Sequence, residues 1–386
     1  MIHLINPKFT KLQVPGIRIF ANEVAKYSDG INFTIGEPDF STPEQVQNAG
    51  VRAIKENLTG YSHNAGLYEL RQEVSNFFHE EYGFYYDPDT EIVITAGASE
   101  AIDAVLRTIL STGDEVIVPA PIYSGYEPLI QLAGAKIVYL DTTNTKFVPT
   151  AEGIEALITD KTKAIILNFP SNPTGMTIPK KEMDQIVEVL AKHEIFVISD
   201  EIYSENTFHA KHLSFGAYPS LRDRLFLLHG VSKSHAMTGW RIGYVLSDAP
   251  LMKQVLKAHL FNSICAALPS QYAAIEALRN CRHTPVEMNR AYIERRDYVY
   301  KRLQKMGFEM DLPTGAFYIF PSIAHTGLTS WDFATRLLAE EHVAVVPGSS
   351  FSIYGERYIR ISYANSMVNI QEGLDRMERF LQRLTK

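Results

Sequence analysis

A lysine and an arginine stand eight positions apart, at Lys233 and Arg241, beside an apolar run. The preceding segment LFLLHG (225–230) has the pattern of a buried strand, and a second apolar run follows Arg241. A buried ammonium group costs free energy unless something compensates it. A lysine amine can form a Schiff base with a carbonyl, and a guanidinium can hold a phosphate through two hydrogen bonds. The pair therefore indicates either carbonyl chemistry beside an anion or two solvated residues at a strand end.

Further polar residues follow other strand-like runs of the chain. In open α/β sheets, ligands bind at the carboxyl ends of the strands. Each residue alone has a structural explanation as a turn, a helix cap or a packing residue, but together they predict one site at one sheet edge. They are Ala98 and Ser99 after EIVIT, Tyr123 after EVIVP, Asn172 after AIILNFP, Asp200 and Tyr203 after IFVIS, and Ser232 with Lys233 after LFLLHG.

The elements that must position these residues alternate between apolar strands and helical-period segments from Glu91 onward. Nearly continuous apolar strands that alternate with helices predict an α/β fold with a mostly parallel sheet covered by helices on both faces. After about residue 285 a long charged helix and short strands follow, which is typical of a smaller α+β domain. We predict an N-terminal segment (1–40) that packs with the small domain and the active site, a large domain (41–284) and a small C-terminal domain (285–386).

The composition of the chain argues against several classes of protein. The chain has 386 residues, 46% of them hydrophobic and 21% charged, which is an ordinary globular balance. Its net charge, 37 − 44 = −7, argues against a nucleic-acid surface, and no apolar run approaches the ~18 residues of a membrane span. Two cysteines form no disulfide framework, and His209 with His212 lacks the partners of a metal site. We predict a cytoplasmic protein without a metal, a membrane contact or a nucleic-acid partner.

Seven motifs in order carry a family resemblance over essentially the whole chain. The chain resembles the pyridoxal-phosphate-dependent aminotransferases of class I and II, which have fold type I. NPTG, DEIY and SK…GWR in this order are the specific part of the signal. The motifs are GEPDF (36–40), GYSHNAGLYELR (60–71), TAGASEA (95–101), NPTG (172–175), SDEIY (199–203), SKSHAMTGWRIGY (232–244) and YIRISYA (358–364).

The resemblance implies pyridoxal 5′-phosphate as the cofactor and gives each motif residue a role. Lys233, Asp200 and Tyr203 are the implied catalytic residues: Lys233 forms the Schiff base and moves the substrate proton, and Asp200 faces the pyridine nitrogen. The other implied cofactor contacts are the ring stacking of Tyr123, the hydrogen bonds of Asn172 and Tyr203 to the ring hydroxyl oxygen, and the phosphate contacts of Arg241, Ser232 and the main-chain amides of Ala98 and Ser99.

The resemblance also implies where a substrate and a second subunit meet the site. Arg360 takes the α-carboxylate, with help from Gly36 and Asn172, and a tyrosine that matches Tyr61 reaches the phosphate from the neighbouring subunit of a homodimer. Many relatives carry a phosphate-binding serine three residues before the lysine, whereas this chain has Gly230. Arg18 is a candidate for a distal carboxylate of the substrate, against the simpler interpretation that it is solvated.

Several reactions remain compatible with these residues. Within the family the chain is similar to the bacterial N-acetyl-diaminopimelate aminotransferases of lysine biosynthesis, with glutamate and 2-oxoglutarate as the implied second couple. Aromatic amino acid or aspartate transamination is the nearest alternative, and a carbon–sulfur β-lyase is a further one, because the same cofactor chemistry serves several bond cleavages. A ligand-sensing transcription factor would need a basic recognition module, and only about 30 residues precede GEPDF.

Overall fold

The fold contains twelve strands in residues 1–10 and 12–384, which a computed structural model describes. Their alternation with helices follows the predicted pattern closely. The strands are β1 (Ile31–Asn32), β2 (Ile92–Thr95), β3 (Glu115–Ala120), β4 (Lys136–Asp141), β5 (Thr162–Asn168), β6 (Phe196–Asp200), β7 (Leu225–Gly230), β8 (Gly243–Leu246), β9 (Tyr318–Ile319), β10 (Val343–Ala344), β11 (Val346–Pro347) and β12 (Ile359–Ser362).

Thirteen α-helices lie in the same described residues. Several begin where the sequence places a helix start, such as the helix after Thr42-Pro43. They are α1 (Pro7–Thr10), α2 (Gly16–Val24), α3 (Glu44–Lys55), α4 (Tyr68–Tyr82), α5 (Ala98–Ile109), α6 (Tyr126–Ala133), α7 (Ala151–Glu155), α8 (Lys180–Leu190), α9 (Ala249–Ser263), α10 (Leu268–Asn280), α11 (Thr284–Lys305), α12 (Ser330–Glu341) and α13 (Met367–Leu384).

Seven strands form the central sheet, in the order β2-β8-β7-β6-β5-β3-β4. Strands β4, β3, β5, β6 and β7 are paired in parallel, and β8 runs antiparallel to both β7 and β2. The prediction of a mostly parallel sheet is therefore confirmed, with β8 as the reversed strand. Because the parallel strands point the same way, the residues that follow β3, β5, β6 and β7 gather at one edge.

Helices cover both faces of this sheet, as the apolar strands predict. In β5, Ile166 packs in one apolar cluster with residues of α5 and α9, whereas Ile165 and Leu167 pack in another with residues of α8. Side chains alternate between the two faces of a strand, so a strand buried on both faces must be apolar throughout. This burial leaves the sheet edge as the place where polar side chains meet a cavity.

A second, smaller group of strands lies near the C-terminal region. Strands β11, β12 and β9 form an antiparallel sheet, and β1 pairs in parallel with β10. The segment INFTI (31–35) has the apolar pattern of a short strand, but β1 covers only Ile31 and Asn32 because its partner β10 has two residues. The segment at Gly36 is therefore free of a ladder. The predicted domain boundaries at 40/41 and 284/285 stay predictions. Phe20, Phe33 and β1, which belong to the predicted N-terminal segment, share an apolar core with C-terminal residues.

Two smaller observations bear on the composition arguments. Cys265 and Cys281 are both free thiols. None of the helices in the described part of the chain is long and apolar enough to cross a membrane.

Candidate active site

One cavity of about 590 Å³ opens at the carboxyl edge of the central sheet. Every site residue that the sequence analysis names lines this cavity, with Tyr61 as the exception. The residues come from segments that are far apart in the chain: the α2 region, the Gly36 segment, the start of α5, the ends of β5, β6 and β7, and strand β12. The fold therefore brings the predicted residues together around one space.

Lys233 lies three positions after the end of β7, and its side chain is half-buried in the cavity. Its Nζ donates a 2.5 Å hydrogen bond to the main-chain oxygen of Gly36. Burial lowers the pKa of Lys233 from its usual value to about 8; Glu37 opposes this shift, whereas Arg241 and Arg360 add to it. A lysine with a pKa near 8 is in part a neutral amine at neutral pH, which is the form that acts as a nucleophile or a base.

Asp200 ends β6 and is buried below the cavity. Oδ2 accepts a 2.5 Å hydrogen bond from the phenol of Tyr126, and Oδ1 accepts the main-chain N–H of Ile202 at 3.1 Å. Burial raises the pKa of Asp200, and these two donors act against that rise. The carboxyl group thus lies in a place where a cationic partner would stabilise its charged form.

Arg360 lies in β12 and is only 1% exposed. It donates to Oδ1 of Asn172 at 2.8 Å and to the main-chain oxygen of Thr34, and its guanidinium lies over the ring of Tyr318 at 4.6 Å. Its Nε has no hydrogen-bond partner within the described residues. A buried guanidinium with an unused donor, on the wall of a cavity, is suited to an anionic ligand.

Asn172 precedes Pro173 through a cis peptide bond and is buried. Its main-chain N–H donates to Oδ1 of Asn168, and its own Oδ1 accepts a hydrogen bond from Arg360. The side-chain amide nitrogen of Asn172 remains to donate into the cavity. Asn172 is therefore placed between the arginine and the remaining cavity space, which fits the two binding roles that the resemblance implies.

A phosphate-sized anion would meet two kinds of donor at the start of α5. Gly97 precedes this helix with φ +80°, and no side chain caps the first helical amides, those of Ala98 and Ser99. A Cβ on Gly97 would lie 2.3 Å from the guanidinium of Arg241, so only glycine permits this approach. Arg241 itself has φ +57°, in the left-handed region that is strained for any residue except glycine. Uncapped amides beside a guanidinium form an anion-binding arrangement.

Tyr203 and Tyr123 complete the walls around this space. The hydroxyl groups of Tyr203 and Tyr318 lie 2.6 Å apart, and both side chains are buried. Tyr123 packs edge-on against Tyr126, with ring centroids 5.4 Å apart. Burial raises the pKa values of Tyr203 and Tyr123, so both are neutral phenols able to donate a hydrogen bond.

The remaining predicted residues occupy different positions. Ser232 is buried and lines the cavity. Gly230 has a structural reason to be glycine, because a Cβ there would lie 2.8 Å from the main-chain oxygen of Ile242 in the neighbouring strand segment. Tyr61 is 81% exposed and does not line the cavity of its own subunit. Arg18 lines the cavity and is exposed.

Three cavity residues were not found by sequence reasoning. Tyr126 binds Asp200, Tyr318 binds Tyr203, and Glu37 raises the pKa of Lys233 through its charge. Tyr126 is the first residue of α6 and Tyr123 lies three positions before it, outside the helix, so helical spacing gave no signal that joins the two. Tyr318 and Glu37 lie inside the motif-like segments GAFYIFPS and GEPDF, and no feature of residue type alone distinguishes them from packing or solvated residues.

Comparison with known proteins agrees with this arrangement. The family model "Aminotransferase class I and II" matches residues 28–377. A probable N-acetyl-LL-diaminopimelate aminotransferase of Bacillus subtilis is 51% identical over 381 residues, covering 99% of this chain and 96% of that protein. The structure of an aromatic aminotransferase from Pyrococcus horikoshii has a TM-score of 0.90 at 39% identity, covering 94% of this chain and 99% of that one. The aspartate aminotransferase of Thermus thermophilus with maleate has a TM-score of 0.93 at 32% identity, covering 97% and 99%.

The fold and the site define a fold-type I enzyme that depends on pyridoxal phosphate. The chain belongs to the class I and II aminotransferases. It is a transaminase, and its cofactor is pyridoxal 5′-phosphate. The residues present fit this group: Asp200 is a buried carboxyl group, the amides of α5 and Arg241 form an anion cradle, and Lys233 has a lowered pKa.

Proposed function

We propose that this aminotransferase acts on an N-acylated 2,6-diamino acid, with N-acetyl-LL-2,6-diaminopimelate as the specific candidate, and uses the glutamate/2-oxoglutarate couple. The main support is the 51% identity to the Bacillus subtilis relative, which is described as a probable enzyme of that specificity. Relatives that are described as aspartate or aromatic aminotransferases are 37–39% identical. Lysine biosynthesis is the corresponding proposed role.

The proposed roles of the site residues follow from their positions. Bound pyridoxal phosphate supplies an aldehyde for a lysine amine and an aromatic ring that accepts electrons when the Cα proton of the substrate leaves. Arg241 and the amides of Ala98 and Ser99 hold the phosphate, and Asp200 holds a proton on the ring nitrogen. Lys233 carries the substrate proton, for which a pKa of about 8 is close to the operating range.

The substrate is oriented by residues on the other wall of the cavity. Arg360 binds the α-carboxylate, and its unpartnered Nε supports this role. Asn172 and Tyr203 donate to the ring hydroxyl oxygen, and Tyr123 covers one ring face. The Gly36 main-chain oxygen, which accepts from Lys233 in this structure, faces the same space. These residues fix the direction from which the proton of Cα is removed.

A distal carboxylate of the donor is proposed to bind Arg18. This side chain lines the cavity and makes no ion pair or hydrogen bond with any residue that the structure describes. Its positive charge also acts on Tyr123, which lines the same cavity, and this nearness supports the proposal. We expect Arg18→Ala to raise KM for a donor with a distal carboxylate and to leave KM for an uncharged donor nearly unchanged. Arg52→Ala, an exposed arginine outside the cavity, is the matched control. An unchanged kcat/KM for the acidic donor in Arg18→Ala contradicts this role.

A homodimer is proposed in which Tyr61 reaches the phosphate of the neighbouring subunit. Tyr61 and Phe261 are 81% and 89% exposed, and the two segments that carry them are joined by a hydrogen bond from Asn64 to the main-chain oxygen of Ile264. Two exposed aromatic side chains on joined segments are typical of an interface.

Hybrid dimers test the reach of Tyr61 between subunits. A Lys233→Ala subunit and a Tyr61→Phe subunit are each impaired alone. In the hybrid, the Tyr61→Phe subunit keeps its own Lys233 and receives an intact Tyr61 from its partner. We expect mixing to restore one wild-type site per hybrid dimer. If Tyr61 serves its own subunit, mixing restores no activity above the sum of the two variants.

A donor panel tests the specificity. Purified enzyme is incubated with 2-oxoglutarate and one donor at a time, and glutamate is measured together with pyruvate and ammonia. We expect the highest kcat/KM for N-acetyl-LL-2,6-diaminopimelate, with aspartate and phenylalanine well below it. A higher kcat/KM for aspartate or for an aromatic donor overturns the specificity, and pyruvate with ammonia from a sulfur-containing donor indicates a carbon–sulfur β-lyase.

A further inference from the structure

We propose that Tyr126 is a positioning residue that keeps Asp200 in its charged form and aimed at the ring nitrogen of the cofactor. The inference rests on the proposed role of Asp200 and not on the identity of the amino donor. Tyr126 is the first residue of α6, is 1% exposed, and donates to Oδ2 of Asp200 at 2.5 Å. This bond joins a helix that follows β3 to the end of β6, two strands apart in the sheet.

The surroundings of Asp200 show that its charge depends on this hydrogen bond. Tyr126 is the one side chain in the described part of the chain that donates to the carboxyl group; the other donor is the main-chain N–H of Ile202. No ion pair of Asp200 within 4.0 Å is found in the same residues. The charged groups that face it are Glu201, which disfavours its charge, and Lys233, which favours it. A buried carboxylate without a counter-ion depends on its donors.

The phenol also leaves the carboxylate the capacity to bind a cofactor. Oδ1 and Oδ2 each accept one hydrogen bond, and a carboxylate oxygen has two acceptor positions. A protonated ring nitrogen can therefore bind without displacing Tyr126. The hydroxyl group holds the carboxyl plane in one orientation, and the ring of Tyr123 packs against the ring of Tyr126. The same tyrosine thus links the residue that covers the cofactor ring to the residue that faces its nitrogen.

Removing the hydroxyl group changes the pH at which Asp200 ionises. Burial raises the pKa of this carboxyl group, and donation from Tyr126 lowers it. Without that donation the folded pKa rises, so Asp200 becomes neutral at a higher pH and the ion pair with the ring nitrogen is lost earlier on acidification. On acidification the affinity for the cofactor falls, and the pH range of that fall is the acid limb of cofactor binding. A hydrogen bond to a charged group is strong enough that its loss moves this acid limb upward by about one pH unit.

The test compares Tyr126→Phe with the wild type and with a matched variant. Tyr82 also donates its phenol to a partly buried carboxylate, that of Glu205, but lies outside the cavity, so Tyr82→Phe removes the same kind of bond elsewhere. Full-length protein freed of cofactor is titrated with pyridoxal phosphate between pH 5 and 8.5 by its absorbance, and the melting temperature is recorded. The titration is repeated with 1-deazapyridoxal phosphate, which has no ring nitrogen.

We expect the acid limb for pyridoxal phosphate to move upward by about one pH unit in Tyr126→Phe and to stay in place in Tyr82→Phe. With the 1-deaza compound, Tyr126→Phe and wild type are expected to bind equally. A lowered melting temperature with an unchanged pH profile overturns the inference, since Tyr126 would then be only structural. An equal loss of affinity for both compounds overturns it too. No amino donor is present, so failure of the proposed donor specificity leaves this result unaffected.

Discussion

Replacing Arg360 by lysine tests how the buried guanidinium recognises a substrate. The arginine is held by Asn172 and by the main-chain oxygen of Thr34, while Nε stays without a partner within the described residues. Lysine keeps the positive charge but lacks the planar fork that binds a carboxylate through two parallel hydrogen bonds. The substitution therefore removes the geometry of the interaction more than its charge.

The size of the effect follows from the bonds that are lost. A hydrogen bond between charged groups contributes about 1.5–3 kcal/mol, and a buried partner left unsatisfied adds to the loss. A net loss of about 2–4 kcal/mol of transition-state binding lowers kcat/KM by roughly 30- to 700-fold, at about 1.4 kcal/mol for each factor of ten. The loss is expected only for substrates that carry an α-carboxylate.

The assay compares glutamate with 4-aminobutyrate, which is glutamate without its α-carboxylate. The half-reaction of each donor is followed by the change in cofactor absorbance in a stopped-flow instrument, so that slow donors are measurable. We expect Arg360→Lys to lower the rate with glutamate by the factor above and to leave the rate with 4-aminobutyrate within about threefold of the wild type.

A matched control separates binding from folding. Arg296 is also buried, at 2% exposure, and donates to the main-chain oxygen of Pro313 outside the cavity. Arg296→Lys is expected to lower the melting temperature without changing the ratio between the two donors. An equal fall for glutamate and 4-aminobutyrate in Arg360→Lys, or no fall for glutamate, would refute the role of Arg360 in binding the α-carboxylate.

Three further predictions concern the cofactor cradle. The rate at which the cofactor attaches to cofactor-free protein is expected to rise with pH and to level off above about pH 8, because burial lowers the pKa of Lys233 and only the neutral amine reacts. Stopped-flow absorbance measures this rate, and a continued rise toward pH 10 contradicts the prediction. Gly97→Ala is expected to weaken cofactor binding at least tenfold by titration, because the new Cβ meets Arg241 and φ is positive; unchanged affinity would be the contrary result. Gly230→Ser is expected to lower the free energy of unfolding by about 1–3 kcal/mol in urea, since its Cβ would meet Ile242; a stabilised protein with tighter cofactor binding would show that a serine fits there.

Much of the fold was predictable because local patterns are strong where strands are buried on both faces. Apolar runs such as LFLLHG, alternating with helical-period segments, are typical of central strands, and all six residues of β7 are indeed buried. The length of β1 was not predictable from its own residues. Its ladder ends where β10 ends, more than 300 positions away, so the pairing partner and not the apolar pattern decides the strand boundary.

The candidate site also contains residues that the sequence predicted and residues that it did not. Residue type and position beside strands made Lys233, Asp200 and Arg241 candidates, because few structural reasons place several such groups at one sheet edge, and the family resemblance then gave them their roles. Tyr126 was missed because a tyrosine at the start of an amphipathic helix is usually a packing residue. Its function depends on a hydrogen bond to a residue 74 positions away, and nothing in the local sequence reports that contact.

By itself the sequence determined which chemical groups are available and that they follow strands of one parallel sheet. Local patterning carries that information, since burial on both faces demands apolar runs and leaves polar residues at the strand ends. The tertiary structure alone decided which hydrogen-bond partner each group has: Arg360 donates to Asn172 across 188 positions, and Lys233 donates to Gly36 across 197. Hydrogen bonds act over a few ångströms, so charge and pKa at this site are set by neighbours that only folding brings within reach.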